Sequence, residues 1–142
     1  MFELHPQLAQ DTRHLGDLSL CQLRLLNNAT LPWFVLVPKR GEISEIYQLT
    51  AEEQQQLWHE TTTVSKIVMQ TFAGDKLNIG AIGNIVPQLH MHVVVRYTND
   101  PAWPAPVWGK LHVQAYSNEE FDVVRTAVVT ALTTHGIELG TH

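Results

Sequence analysis

The chain has 142 residues, the size of one ordinary domain, with room for a core that needs no disulfide or metal staple. Hydrophobic residues make up 44% and charged ones 16%, which excludes a disordered polyelectrolyte. The formal net charge is −5 and the nine Lys and Arg are scattered, so a surface that tracks DNA or RNA is excluded, while a small phosphorylated ligand is not.

A single cysteine, Cys21, rules out an internal disulfide and a zinc site built from several thiolates. Its setting, "LSLCQLRLL", reads as a strand in which the thiol is a small buried hydrophobe. The opening "MFELHPQLAQDTRHLGDL" has neither a basic leader nor an apolar one, and no run approaches the roughly 18 apolar residues of a membrane span. A soluble cytoplasmic protein with no membrane partner is the expectation.

In chain order, residues 3–10 predict a short helix with Pro6 in its first turn. "LSLCQLRLLN" (18–27) and "WFVLVP" (33–38) predict two strands of a hairpin, joined by the turn formers of "NNATLP", with the Gly16-Asp17 pair just ahead of the first. A surface connection (39–49) leads to a helix that opens with the capping box "TAEE" at Thr50. Leu57, Thr61, Val64, Val68 and Phe72 trace its apolar stripe, His59 lies off it, and Gly74 marks the stop. A small-residue strand, "KLNIGAIG" (76–83), and a second strand from Gln88 to Tyr97 follow. "TNDPAWPAPVWGK" (98–110) is a loop with three prolines and two tryptophans. The last helix opens with a second capping box, "SNEE" at Ser117. Phe121, Val124, Val128, Ala131 and His135 form its buried side, and Gly136 is its C′ residue. Without a repeat or a linker, residues 1–142 read as one α+β domain.

The strand "QLHMHVVVRY" places imidazoles on alternate positions of an apolar segment. In an extended chain Gln88, His90, His92 and Val94 share one face, while Leu89, Met91, Val93 and Val95 bury on the other under the helices. The imidazoles then face outward or into a groove, with Cα atoms roughly 6.5–7 Å apart. Three readings stand: solvated polar residues on a half-exposed sheet, a metal site, or paired imidazoles converging on a phosphate. For a metal, His112 and scattered glutamates are the only candidate third ligands, and Gln88 is a poor ligand. For a phosphate, Asn78, Gly80, Gly83 and Asn84 lie just ahead, supplying amide donors and backbone that can approach closely.

Gln88-Leu89-His90-Met91-His92-Val93-Val94 resembles the alternating His-apolar signature of the histidine triad (HIT) superfamily, with glutamine at the first position, as in a bacterial branch of it. The likeness extends upstream through "LLNNATLPWFVLVPKRGEISEIYQL" and covers roughly residues 16–97. It implies an antiparallel sheet of about five strands with one long central helix and a C-terminal helix. It implies a nucleotide hydrolase or transferase that needs no metal and cleaves a phosphoanhydride or phosphoramidate at the α-phosphate, dinucleoside polyphosphates among its substrates. His90 would be the nucleophile, oriented by the carbonyl of Gln88, and His92 would assist the leaving group. Asn78 and Asn84 would hold the phosphate, and Asn27 (or Asn28) and Trp33 would contact the ribose or base. A homodimer is implied as well. Two alternatives stay open: a nucleotide-binding protein with little turnover because of Gln88, and a metal-binding protein using His90 and His92. Trp103 and Trp108 either stack on a base or lock their loop against the domain.

Overall fold

Every side chain of Trp33–Pro38 is buried, and the sheet is built outward from this strand. In the computed structural model, which describes residues 1–141, the strands are β1 (Thr12–Asp17), β2 (Cys21–Leu26), β3 (Trp33–Pro38), β4 (Lys76–Gly80) and β5 (Met91–Arg96). They lie in the order β1-β2-β3-β5-β4, and each pairing is antiparallel. The helices are α1 (Pro6–Asp11), α2 (Ala51–Thr71) and α3 (Asn118–Thr134). This is the expected α+β architecture of five strands, one long helix and a C-terminal helix.

The helix signals act locally and hold. Thr50 and Ser117 each accept the backbone N–H three residues on, and Glu53 and Glu120 reach back to the cap, so both capping boxes are closed. α2 buries Leu57, Thr61, Val64 and Val68 together with Glu60, Ser65 and Ile67. Its stop differs in detail. Ala73 takes the left-handed conformation at φ 49°, while Gly74 is required because a Cβ there would meet Val95 Cγ1 at 2.4 Å. α3 buries Phe121, Val128 and Leu132, whereas His135 is its exposed C-cap and not part of the buried side. Gly136 follows at φ 78°.

The strand boundaries depart further. β1 was not expected, because "TRHLGD" is polar and carries a glycine. Pairing with β2 overrides its poor propensity. Gly16 sits where that register shifts, and a Cβ on it would lie 2.4 Å from Leu139 Cβ. The first hairpin strand therefore starts at Cys21 and not at Leu18. Residues 81–90 leave the ladder, since Gly83 turns at φ 69° and Pro87 has no N–H to give. β5 begins only at Met91, so Gln88 and His90 lie on its approach.

Both faces of the sheet are covered. Against α2 and α3 lie Leu23, Leu25, Phe34, Leu36, Met91, Val93 and Val95. Against the other face, Leu8 of α1 and Val107 of the 98–110 loop pack on Trp33, Val35, Val37 and Val94, with Phe2, Leu4 and Trp108 at the margin. That second layer removes one of the three readings, solvated polar residues on a half-exposed sheet: His90 and His92 are only 7% and 8% exposed.

The covering loop is anchored at its start by a buried ion pair. Arg96 ends β5 fully buried and gives Nε and Nη2 to the two carboxylate oxygens of Asp100, at 2.8 and 3.0 Å. Asp100 also accepts the N–H groups of Tyr97, Ala102 and Trp103. The Arg96 hydrogen bonds push its carboxyl down to about 2. Asp100→Ala should cost about 3–5 kcal/mol in urea unfolding, because it strands a buried guanidinium. A loss below about 1 kcal/mol would show that the loop is held by other contacts.

Candidate active site at the two histidines

The carbonyl of Gln88 turns back on the chain and meets Nδ1 of His90 at 2.7 Å. A carbonyl only accepts, so Nδ1 carries the ring proton and the lone pair is left on Nε2. His92 is the reverse case. The indole Nε1 of Trp33 meets its Nδ1 at 2.9 Å, and an indole N–H only donates. Nδ1 of His92 is therefore bare, and in the neutral ring Nε2–H is the donor.

The β3–β5 register makes this possible. Trp33 faces Val94 and Val35 faces His92, so Trp33 stands diagonally from His92 on the same sheet face, within reach of a long aromatic side chain. Trp108 closes the other side. Its ring lies 5.5 Å from that of His92 and 6.0 Å from Trp33, both edge-on. Gly80, opposite His92 on β4, lies against the Trp108 ring, where a Cβ would make an ordinary van der Waals contact at 3.6 Å. The two imidazoles are 4.8 Å apart at 68°.

Burial favours the neutral form of both rings. Desolvation lowers the pKa of His90, opposed by the Gln88 bond and reinforced by His5. His92 is pushed down to about 3, first by desolvation and then by His90.

The other expected site residues divide. Asn78, opposite Val94, lies on the His92 face and accepts from Arg96 Nη1 at 2.8 Å, which fixes its amide plane. Asn84 is exposed on the turn before the motif. Asn27 accepts the Tyr116 N–H, and Asn28 bonds Thr30, Gln114 and the His112 carbonyl, so both tie the β2–β3 turn to the segment before α3. Trp103 lies under the Arg96 guanidinium at 5.5 Å, as a loop lock would. The His112 ring is exposed, and among the described residues no cluster of three or more His, Cys, Asp or Glu is placed to hold a metal ion. A cavity of about 300 Å³ lined by Asp17, His59, Glu60 and Glu138 lies at α2 and holds none of these residues.

Trp33→Phe keeps the aromatic packing but removes the donor. In ¹⁵N NMR the wild-type His92 should show a single tautomer protonated on Nε2, and the variant a mixture. An unchanged signal would mean that the indole bond does not set the tautomer.

Acid should reveal the same burial. Above the ordinary value of 6.5 His92 is neutral folded or unfolded and contributes no pH dependence. As pH falls toward about 3 the unfolded chain binds a proton that the folded one refuses, and stability is lost. Between pH 6.5 and about 4.5, wild type should lose roughly 2 kcal/mol more than His92→Gln in urea titrations.

The sequence pattern of the HIT domain matches residues 7–99. A histidine triad protein from Marinobacter aquaeolei VT8 is 47% identical, with 94% of this chain and 98% of that one covered and a TM-score of 0.92. A histidine triad (HIT) protein from Sinorhizobium meliloti 1021 is 40% identical over 93% and 98%, with a TM-score of 0.91. A histidine triad protein from Bradyrhizobium japonicum is 41% identical over 89% and 95%, with a TM-score of 0.87. No curated protein sequence matches the chain significantly. With that match, and with the five-stranded antiparallel sheet it shares with these structures, the chain belongs to the HIT domain family.

Proposed function

We propose that the protein is a nucleotide hydrolase or transferase that cleaves a phosphoanhydride at the α-phosphate, dinucleoside polyphosphates included, through an intermediate on His90. The observation that supports this best is the opposite protonation of two neighbouring imidazoles, one offering a lone pair and the other an N–H.

In the first step the Nε2 lone pair of His90 attacks the α-phosphorus, and the bond to the leaving phosphate oxygen breaks with its electron pair. The ring keeps its Nδ1 proton and becomes cationic, and the Gln88 carbonyl faces that charge. In the second step water displaces His90 as a neutral imidazole. One proton of that water stays on the nucleoside monophosphate and the other leaves to solvent.

His92 takes a narrower part than the expected proton donor. Its Nδ1 is occupied, and giving up Nε2–H outright would leave an imidazolate. It serves as a preorganised hydrogen bond to the leaving oxygen in a site shielded from water. A leaving group that departs as a stable anion fits this device, whereas an amine also needs a proton from solvent. Phosphoanhydrides are therefore preferred over phosphoramidates. Asn78 and Asn84 bind phosphate in this reading, and Asn27 and Trp33 flank the nucleoside, Trp33 doing so while it holds His92. The protein works in the cytoplasm as a homodimer, and the motif belongs to the glutamine-opening branch of the family.

Diadenosine polyphosphates incubated with purified protein and a chelator should be hydrolysed, and rapid quenching of radiolabelled substrate should trap a nucleotide on His90. His90→Ala should reduce turnover by about 10³-fold or more. His92→Ala should cost about 10²-fold, and less with a more acidic leaving group. Turnover without an adduct at His90 would refute the reading, and tight binding without turnover would favour a binding protein.

A further inference from the structure

Gln88 stands where the triad signature has its first histidine, and its side chain is fully employed elsewhere. Its Oε1 accepts the N–H of His5 at 2.8 Å, and its Nε2 donates to the carbonyl of Glu3 at 2.8 Å. The amide grips the backbone of the N-terminal segment by two antiparallel bonds, as a strand neighbour would. The same residue's carbonyl orients His90. One residue thus fixes both the nucleophile and the segment that carries His5.

The His5 ring is fixed in turn. Its Nδ1 accepts the Gln7 N–H at 3.0 Å, capping α1, so the ring proton sits on Nε2. His5 is only half-buried and lines a cavity of about 310 Å³ with Ser44, Pro87 and Gln88. A smaller cavity of about 30 Å³ has the same three residues in its wall and continues to His90. The chain of walls runs from one imidazole to the other. His5 is also near enough to His90 to disfavour its protonation. Glu3 and Glu42, in the outer wall of the larger cavity, are exposed, where water screens their charge.

We infer that His5 is the third imidazole of this site: held by the Gln88 clamp, it donates its Nε2–H to an oxygen of the substrate's phosphate chain. The inference rests on the function proposed above and extends it to a residue outside the motif. It gives the Gln88 substitution a positive role, since the lost side chain is replaced by one delivered from the N-terminal segment.

The probe is adenosine 5′-(α,β-methylene)diphosphate, whose bridge cannot be cleaved at the α-phosphate. On its addition, the His5 imidazole signals in ¹³C and ¹⁵N NMR should shift in wild type and stay in place in Gln88→Ala. His5→Asn preserves the cap, since the asparagine oxygen accepts the Gln7 N–H, but it removes the reaching donor. That variant should keep its thermal midpoint and lose about tenfold in kcat/KM on diadenosine polyphosphates. Wild-type kinetics in His5→Asn, or probe binding that leaves the His5 signals unmoved, would overturn the inference. His90→Ala with wild-type turnover would instead sink the proposed mechanism. The binding experiment needs no turnover, so the two failures are distinguishable.

Discussion

Trp33 gives its indole proton to Nδ1 of His92, and the chemistry available to the site follows from that bond. Without it, His92 would exchange tautomers freely beside a ring 4.8 Å away, and only His90 would have a set part. With it, and with the Gln88 carbonyl on His90, one ring keeps an open lone pair and the other an open N–H. The Trp33–His92 bond depends on the pairing of β3 with β5, whereas the Gln88–His90 bond is local. A slip of one residue would put Trp33 and His92 on opposite faces of the sheet.

The covered second face is the other requirement. An antiparallel sheet commonly leaves one face to water, and imidazoles there would titrate near their usual value. Here α1, the N-terminal residues and the 98–110 loop exclude water from that face, with Arg96 and Asp100 fastening the loop. Exclusion keeps the histidines neutral and makes each fixed N–H more effective toward developing negative charge. Packing and protonation are therefore set by the same layer. Cys21 feels the corresponding effect on the helix side, where burial beside Glu60 pushes its thiol up and leaves it inert.

Much of this was legible in the sequence, and the divide is one of range. Capping boxes at Thr50 and Ser117, the α2 stripe and the two faces of the motif strand are set by neighbours within a few residues, and the structure keeps them. What failed depends on distant partners. β1 exists because β2 pairs with it, and "TRHLGD" alone gives no strand period. His135 continued the α3 stripe on paper, but the helix ends before that side chain reaches the core. The burial of His90 and His92 comes from segments outside the motif. Trp33 and His92 are separated by 59 positions, His5 and Gln88 by 83, and no local pattern links either pair. The spacing singled out the two imidazoles that the fold brings side by side. It did not reveal which nitrogen of each carries the proton.

The clamp on the N-terminal segment has a kinetic corollary. Glu3 and His5 are bonded to a residue 85 and 83 positions further on, so they emerge from the ribosome well before Gln88 and cannot be clamped until the approach to β5 has been made. Closing so long a loop is entropically unfavourable until the sheet itself is in place. The segment should accordingly dock among the last steps of folding. A newly made chain would then acquire its sheet first and its docked N-terminal segment only afterwards.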